Sequence, residues 1–256
     1  IVHEYGRHEF LSRMSDPFFF QAFGCVLGFD WHSSGVTTTV CGALKEAIRP
    51  EELGLAVCGG KGRVSKQTHD EGQELADVFS LSSEKIESLK YASRMAAKVV
   101  NSCVQDGYQL YHHAFVLSED GDWTVVQQGM QGQLARRYHW LSDDVHSFVE
   151  EPHSGIASDR REQSVLDMTA HESMEAREAS LDLVCDNPDR LGALVREAEQ
   201  ASIDEYLPCR KQVLALVMPT QHQISRLTER TMAALLRAYE LQPDSYEELV
   251  AIRGIG

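Results

Sequence analysis

The sequence predicts an α+β protein that is mostly helical, with a small antiparallel sheet centred on one β-hairpin and a helical C-terminal region. Apolar residues recur at three- and four-residue spacing over 83–105, as on one face of a helix. Residues 110–117 and 123–128 are rich in aromatic and β-branched side chains and flank a turn. Helical patterns dominate from residue 169 onward. We therefore predict an α+β core over 1–168, which carries the candidate site, and a helical region over 169–256.

The elements before residue 83 follow from local signals. Residues 1–15 place several apolar side chains on one side of a predicted helix. Asp16 and Pro17 then start a second helix, because an aspartate at the N-cap followed by proline is a typical helix beginning. A short helix is predicted over 40–48, and the apolar run 55–58 is predicted as a short strand.

The elements from residue 83 onward include the clearest helix and hairpin of the chain. Ser83 can cap the helix that ends near Gln105, and the acidic turn 119–122 joins the two hairpin strands. After Gln128 no strand pattern stands out except the ambiguous apolar run 213–218. Further helices are predicted over 169–184, 188–201 and 224–241.

The composition is that of a globular protein, with 43% hydrophobic and 25% charged residues. No apolar run approaches the roughly 20 residues that span a bilayer, so we expect no membrane partner. The six cysteines form no C-x-x-C pair, and no signal peptide is visible. These features indicate buried thiols in a reducing compartment and a cytoplasmic location.

The net charge of −15 disfavours nucleic-acid binding, because proteins that contact phosphates present positive charge at the contact. The basic residues do form local clusters. The loop Gly59–Gly62 can wrap backbone N–H groups around a phosphate, although it lacks the P-loop spacing. Each cluster can equally be a solvated face with acidic neighbours. The candidate DNA contacts are Lys61, Arg63, Lys66, Lys90, Arg94, Lys98, Arg136 and Arg137.

The glycine-flanked loop 28–35 contains a carboxylate and an imidazole, Asp30 and His32. An Asp-x-His pair can ligate a metal, or the carboxylate can orient the imidazole. The alternative is a capping turn in which Asp30 and Ser33 accept backbone hydrogen bonds.

The first hairpin strand carries adjacent histidines, His112 and His113, which must point to opposite faces of the sheet. Asp106 precedes this strand, and Gln128 ends its partner. Polar residues at positions where paired strands usually bury apolar ones indicate a site on the sheet. The competing interpretation is a solvated sheet face.

Glu151 and His153 add a carboxylate and an imidazole on either side of Pro152, which disfavours a helix there. Carboxylates and histidines of this kind can supply metal ligands and a general base. We expect Asp30, His32, Glu151 and His153 to bind a divalent metal, Mg²⁺ or Mn²⁺. The predicted catalytic set is Asp30, His32, Asp106, His112, His113, Gln128, Glu151 and His153.

The last eleven residues, 246–256, form a short helix that runs into Gly254-Ile255-Gly256. This pattern resembles the first helix and hairpin of the helix-hairpin-helix motif, in which glycines let backbone N–H groups approach a DNA phosphate. The same pattern is also typical of a plain helix C-cap.

Several longer stretches together resemble a prokaryotic family described as domain of unknown function 763. The stretches are 16–35, 105–113, 126–130, 135–140 and 148–153. The resemblance implies a full helix-hairpin-helix at the C-terminus and further residues before Ile1. It implies no particular activity.

These patterns lead us to expect a DNA-binding protein, most of all a metal-dependent nuclease that acts on the phosphodiester backbone. Two alternatives stay open. One is a non-catalytic DNA-binding or adaptor protein in DNA repair. The other is a base-processing enzyme, resembling a glycosylase or deaminase, that extrudes a nucleotide into a pocket near Trp31, Tyr108 and Tyr111.

Overall fold

A computed structural model describes residues 1–29, 35–66, 68–162, 165–187, 190, 193 and 229–255. The chain divides into two compact units. The first comprises 1–101, 107–148 and 152–161, and the second comprises 102–106, 149–151 and 162–256. The apolar run 213–218, nearly all of the predicted helix 188–201 and the beginning of the predicted helix 224–241 lie outside the described residues.

The first unit begins with three helices that cover one face of a sheet. Asp16 caps the second of them, since its carboxylate accepts the backbone N–H groups of Phe18 and Phe19 at 2.7 and 3.3 Å. The third helix begins at Gly35, five residues before the predicted start. The helices of this unit are α1 Val2–Ser15, α2 Pro17–Val26, α3 Gly35–Ala47, α4 Pro50–Leu53, α5 Thr68–Val78 and α6 Ser83–Ser102, the last reaching the second unit.

The sheet of the first unit has five antiparallel strands with the predicted hairpin at its centre, which confirms the α+β class. The strands are β1 Leu55–Lys61, β3 Gln109–Ser118, β4 Trp123–Gln131, β5 Leu134–Leu141 and β6 Gly155–Ser158. Their order across the sheet is β1-β3-β4-β5-β6. Helix α6 packs on the face of β3 that carries Phe115 and Leu117.

The expectation that no strand follows Gln128 was wrong, because β5 and β6 extend the sheet beyond the hairpin. From Arg137 to Trp140 the side chains of β5 alternate between a basic or imidazole group and an aromatic ring. The strand is nonetheless buried on both faces, so it lacks the alternation of apolar and polar residues that predicts a half-buried strand. The predicted glycine loop at 59–62 is likewise part of β1 as far as Lys61.

The apolar core of the first unit lies between the sheet and helices α1, α2 and α3. It contains Phe10, Leu11, Met14 and Phe20 from the helices, packed against β1, β3 and β4. Burying such large side chains stabilises the fold by about 1.5–3 kcal/mol each. The same sheet face continues into polar residues toward the ends of the strands.

In its described residues, the second unit contains a two-residue ladder and three α-helices. Strand β2 Val104–Gln105 pairs with β7 Leu166–Asp167. The helices are α7 Met174–Cys185, α8 Glu229–Leu241 and α9 Tyr246–Ala251. Ser245 caps α9 by accepting the N–H of Glu248 at 3.1 Å. No helix in the described part of the chain is long and apolar enough to cross a membrane.

Candidate functional site

His112 and His113 project from opposite faces of β3, and their environments differ completely. His113 pairs in register with Gln127, while His112 pairs with Gln128 on one side and Lys61 on the other. Both imidazoles are buried, at 1% exposure for His112 and 4% for His113. Their surroundings decide which of them is available for chemistry.

His113 belongs to a closed hydrogen-bond chain. The indole N–H of Trp140 donates to Gln127 Oε1 at 2.9 Å, which fixes the orientation of that amide. Gln127 Nε2 then donates to His113 Nδ1 at 2.8 Å, so the ring proton lies on Nε2 and points to Ser93 Oγ at 3.0 Å. Burial, together with His112, lowers the pKa of His113 to about 3.

This hydrogen-bonded series links a serine to a histidine as in serine hydrolases, but the third residue is an amide in place of a carboxylate, and the histidine has the wrong tautomer. A general base must present a lone pair to the serine hydroxyl, whereas His113 presents an N–H to Ser93. We infer that His113 is a structural residue, which holds α6 against the sheet through Ser93.

His112 is the opposite case. Neither Nδ1 nor Nε2 has a hydrogen-bond partner among the described residues, although both atoms are buried. Burial, and then the charge of Lys61, lower the pKa of His112 to about 4, so the ring is neutral near neutral pH. A buried polar group without a partner costs about 1–3 kcal/mol, and native structures contain few such groups.

A hydrogen-bonded polar chain lies beside His112 on the same face of the sheet. Gln128 Nε2 donates to the Tyr111 hydroxyl at 2.6 Å, and the Thr37 hydroxyl donates to Gln128 Oε1. Burial raises the pKa of Tyr111, so this phenol is protonated near neutral pH. The chain thus connects helix α3 to the strand that carries His112.

The same chain continues to a buried cation, Arg137. Its guanidinium donates to His139 Nε2 at 2.8 Å, to Thr37 Oγ1 at 3.4 Å and to the carbonyl of Pro17 at 3.2 Å. Gln21 Oε1 accepts from both terminal nitrogens at 3.3 Å. Burial lowers the pKa of Arg137 to about 10, which still leaves it charged. All its hydrogen-bond partners among the described residues are neutral.

His139 completes the polar face. Its Nδ1–H donates to the carbonyl of Met14 at 2.9 Å, which leaves Nε2 as the acceptor for Arg137. Burial, and then Arg137, lower the pKa of His139 to about 3. His139 is therefore satisfied on both nitrogens, and His112 is not.

The predicted metal ligands are not gathered in the described part of the chain. Asp30 and His32 lie outside the described residues. The Glu151 carboxylate accepts the backbone N–H of His171 at 2.9 Å. His153 packs edge-on against Trp140 at 4.5 Å, on the face opposite to His112. Within the described ranges, no group of three or more histidine, cysteine or acidic residues is able to hold a metal ion.

Asp106 and the glycine segment also occupy different settings from the predicted ones. Asp106 is buried and belongs to the second unit. The N–H of Gly59 donates to Glu71 Oε2 at 2.7 Å, and Lys45 bonds both this carboxylate and the Gly59 carbonyl. The carboxylate of Glu71 thus occupies the position at which the sequence predicted a bound phosphate.

The predicted DNA contacts divide into exposed and engaged residues. Lys61 and Arg63 are exposed, and the side chain of Lys66 lies outside the described set. Lys90 bonds Glu87 at 2.8 Å, and Arg94 lies over the ring of Tyr91 at 5.5 Å. Lys98 is partly buried one helical turn further along α6.

Arg136 and Arg137 are not the surface cations that their sequence indicated. Both are buried, and Arg136 stacks over the ring of Tyr108 at 4.5 Å. Gly254 is exposed, with a φ of 97° that favours glycine, inside a turn closed by the bond from Ile255 N to Ile252 O at 3.2 Å. Gly256 lies outside the described residues.

Three residues of the polar chain were missed, Thr37, Gln21 and His139. The signal for His139 was present in β5, where basic or imidazole groups alternate with aromatic rings from Arg137 to Trp140. A strand buried on both faces would place Arg137 and His139 together on one of them. Thr37 and Gln21 carried no signal, because helix residues of this kind are common on exposed faces.

Comparison with known proteins gives a family and no activity. No curated protein and no solved structure matches the chain significantly. One family model, described as Protein of unknown function (DUF763), matches residues 1–256, the whole sequence. The chain therefore belongs to the DUF763 family.

Proposed function

We propose that this protein binds DNA and hydrolyses its phosphodiester backbone, with His112 as the group that moves the proton. The observation that carries the proposal is the neutral, buried His112, whose two ring nitrogens have no partner among the described residues. A neutral imidazole offers one lone pair and one N–H, which is what a general base needs before it accepts a proton.

The charge next to His112 fits an anionic substrate. Lys61 pairs with His112 in register, and its charge lowers the pKa of the imidazole. A bound phosphodiester would neutralise Lys61 and bring a negative charge close to the ring, and both effects raise the pKa of His112. Substrate binding would thereby convert a weak base into a stronger one.

The proposed step is hydrolysis by water. A water molecule attacks phosphorus, its proton passes to the free ring nitrogen of His112, and the departing oxygen takes a proton from solvent. General base catalysis of this kind contributes about 10²–10⁴-fold in rate. Because the ring nitrogens are buried, the side chains that cover His112 have to move before DNA can reach it.

A divalent metal, Mg²⁺ or Mn²⁺, stays part of the proposal through Asp30 and His32. The described residues do not themselves form a metal site, so we assign no step to the ion. Adding either metal, or removing both with a chelator, tests this part separately.

Two further features support DNA as the substrate. Lys61 and Arg63 expose two cations next to the His112 strand. The turn at Gly254 follows α9 as the hairpin of a helix-hairpin-helix would. The charge of −15 means that contact with DNA has to depend on such local groups.

The experiment is incubation of the full chain with end-labelled single- and double-stranded DNA, with Mg²⁺, with Mn²⁺ and with chelator. We expect strand cleavage in at least one condition, together with binding that weakens as salt rises. Binding without cleavage in every condition would favour the adaptor function. Release of a free base from an intact strand would favour the base-processing function.

A further inference from the structure

The first unit contains an open cleft of about 730 Å³ that is separate from His112. One wall is formed by the end of α1 and the beginning of α2, and the other by β5 and the edge strand β6. Pro17 packs directly on Gly155, where an added Cβ would meet its ring at 2.5 Å. This contact fixes the beginning of α2 beside the cleft. Clefts of this size bind small organic molecules.

Phe18 at the rim is the most exposed large apolar residue of the described chain, at 87%. Phe20, two residues further along the same helix, is fully buried in the apolar core, whereas Phe18 is exposed. Exposed aromatic rings beside a groove are the stacking platforms on which proteins bind unpaired bases.

The polar groups of the cleft disfavour a phosphate and favour a ring that donates hydrogen bonds. Asp16 and Asp144 contribute two negative charges and Arg137 one positive charge, which leaves the cleft with one net negative charge. Asp16 uses Oδ1 to cap α2, and Oδ2 has no hydrogen bond among the described residues. The hydroxyl of Ser12 adds a further donor and acceptor.

We propose that this cleft binds a nucleobase, with the ring stacked on Phe18 and its amino or imino N–H groups directed to Asp16 and Asp144. The sugar and phosphate would stay at the open side, where the negative charge of the cleft does not act at contact distance. Base binding does not depend on the proposed hydrolysis, because Phe18, Asp16 and Asp144 have no role in proton transfer by His112, although Arg137 and Gln21 line the cleft and also belong to the polar chain beside His112.

The test is equilibrium dialysis of the full chain against the four deoxynucleosides and against deoxyribose 5-phosphate. We expect at least one deoxynucleoside to bind saturably and the sugar phosphate to bind far more weakly. Phe18→Ala should weaken nucleoside binding about 5- to 150-fold, the range for loss of one base–aromatic stack. Phe18→Trp should retain binding, because it keeps the stacking surface.

A matched control is Val26→Ala, which removes another side chain of α2 that is 85% exposed but does not line the cleft. It should leave binding unchanged. Since Phe18 is exposed, its replacement should not impair folding, and an unchanged thermal transition verifies this. A short single-stranded oligonucleotide, compared with its abasic form, distinguishes a base in DNA from a free nucleoside as the ligand.

Two outcomes overturn the assignment. One is no saturable binding of any deoxynucleoside or oligonucleotide base. The other is nucleoside binding that Phe18→Ala leaves at the level of the original chain. Neither readout involves strand cleavage, so the base site and the proposed hydrolysis can fail independently.

Discussion

Replacement of His112 by leucine is expected to stabilise the protein, which is the reverse of the usual effect of a core substitution. The two buried ring nitrogens have no partner among the described residues. Each unsatisfied buried group costs about 1–3 kcal/mol, and the misfit of a new apolar side chain costs up to about 1.5 kcal/mol. The two groups together cost about 2–6 kcal/mol, so even the largest misfit leaves a net gain of at least about 0.5 kcal/mol. For a chain of this size each kcal/mol gained raises Tm by about 2–4 °C.

His113→Leu is the matched control on the other face of the same strand. It removes bonds to Ser93 and Gln127, at 3.0 and 2.8 Å, and leaves both partners buried and unsatisfied. We expect a loss of about 2–5 kcal/mol. Urea unfolding and calorimetry near pH 7.5 measure both variants. Equal destabilisation by the two substitutions would refute the reasoning, because it would mean that His112 is bonded in the native protein.

The remaining predictions concern pH, packing and salt. The pKa values of the three buried histidines of the sheet are lowered to about 3–4 from 6.5. Below about pH 6.5 the unfolded chain therefore binds more protons than the folded one, and stability falls as pH falls, by up to about 1.4 kcal/mol per pH unit for each histidine. Urea unfolding at several pH values should show a shallower loss when one of the three is replaced by leucine. Gly155→Ala should destabilise the protein by about 1–3 kcal/mol, because the added Cβ would meet Pro17 at 2.5 Å. Gly42→Ala, in open space on α3, should stabilise the protein by about 0.5–1 kcal/mol. Calorimetry that finds no difference in stability between the two variants contradicts this. Lys61→Ala and Arg63→Ala should each weaken DNA binding and lower the salt slope by about one unit in an anisotropy titration, and an unchanged slope would exclude a phosphate contact.

The central hairpin and helix α6 were predictable because their signals are local. Apolar spacing over 83–105 and the acidic turn between two β-branched runs specify both elements without tertiary information. Strand β5 was not predictable in that way. Besides the bond between them, its inward-facing Arg137 and His139 are held by partners from α1, α2 and α3, which the local sequence does not reveal.

The sequence indicated where the candidate site lies, but it did not indicate which residue has which role there. Two adjacent histidines on a strand must face opposite sides, so the sequence alone indicates that only one can share a given site. Which one is available depends on the Trp140–Gln127 bond, which sets the tautomer of His113. That bond joins strands whose pairing the local sequence does not reveal.

The basic residues illustrate the same limit. The sequence predicted that Arg136 and Arg137 form a surface cluster, yet both are buried. Ring and carbonyl partners from other elements replace water around them. Lys61, from the same sequence-based set, is exposed. Charge alone did not distinguish these cases, since burial depends on the partners that the fold provides.

The measurement that tests the central claim most directly is the single-turnover rate of DNA cleavage by His112→Gln, at saturating DNA and in the metal condition in which the original chain is active. Glutamine keeps a polar side chain of similar size but cannot take up the proton. We predict a rate about 10²–10⁴-fold lower with DNA affinity unchanged, while His3→Gln, at an exposed histidine of α1, keeps the full rate. Cleavage by His112→Gln at the rate of the original chain would contradict the assignment of His112 as the proton-transferring group.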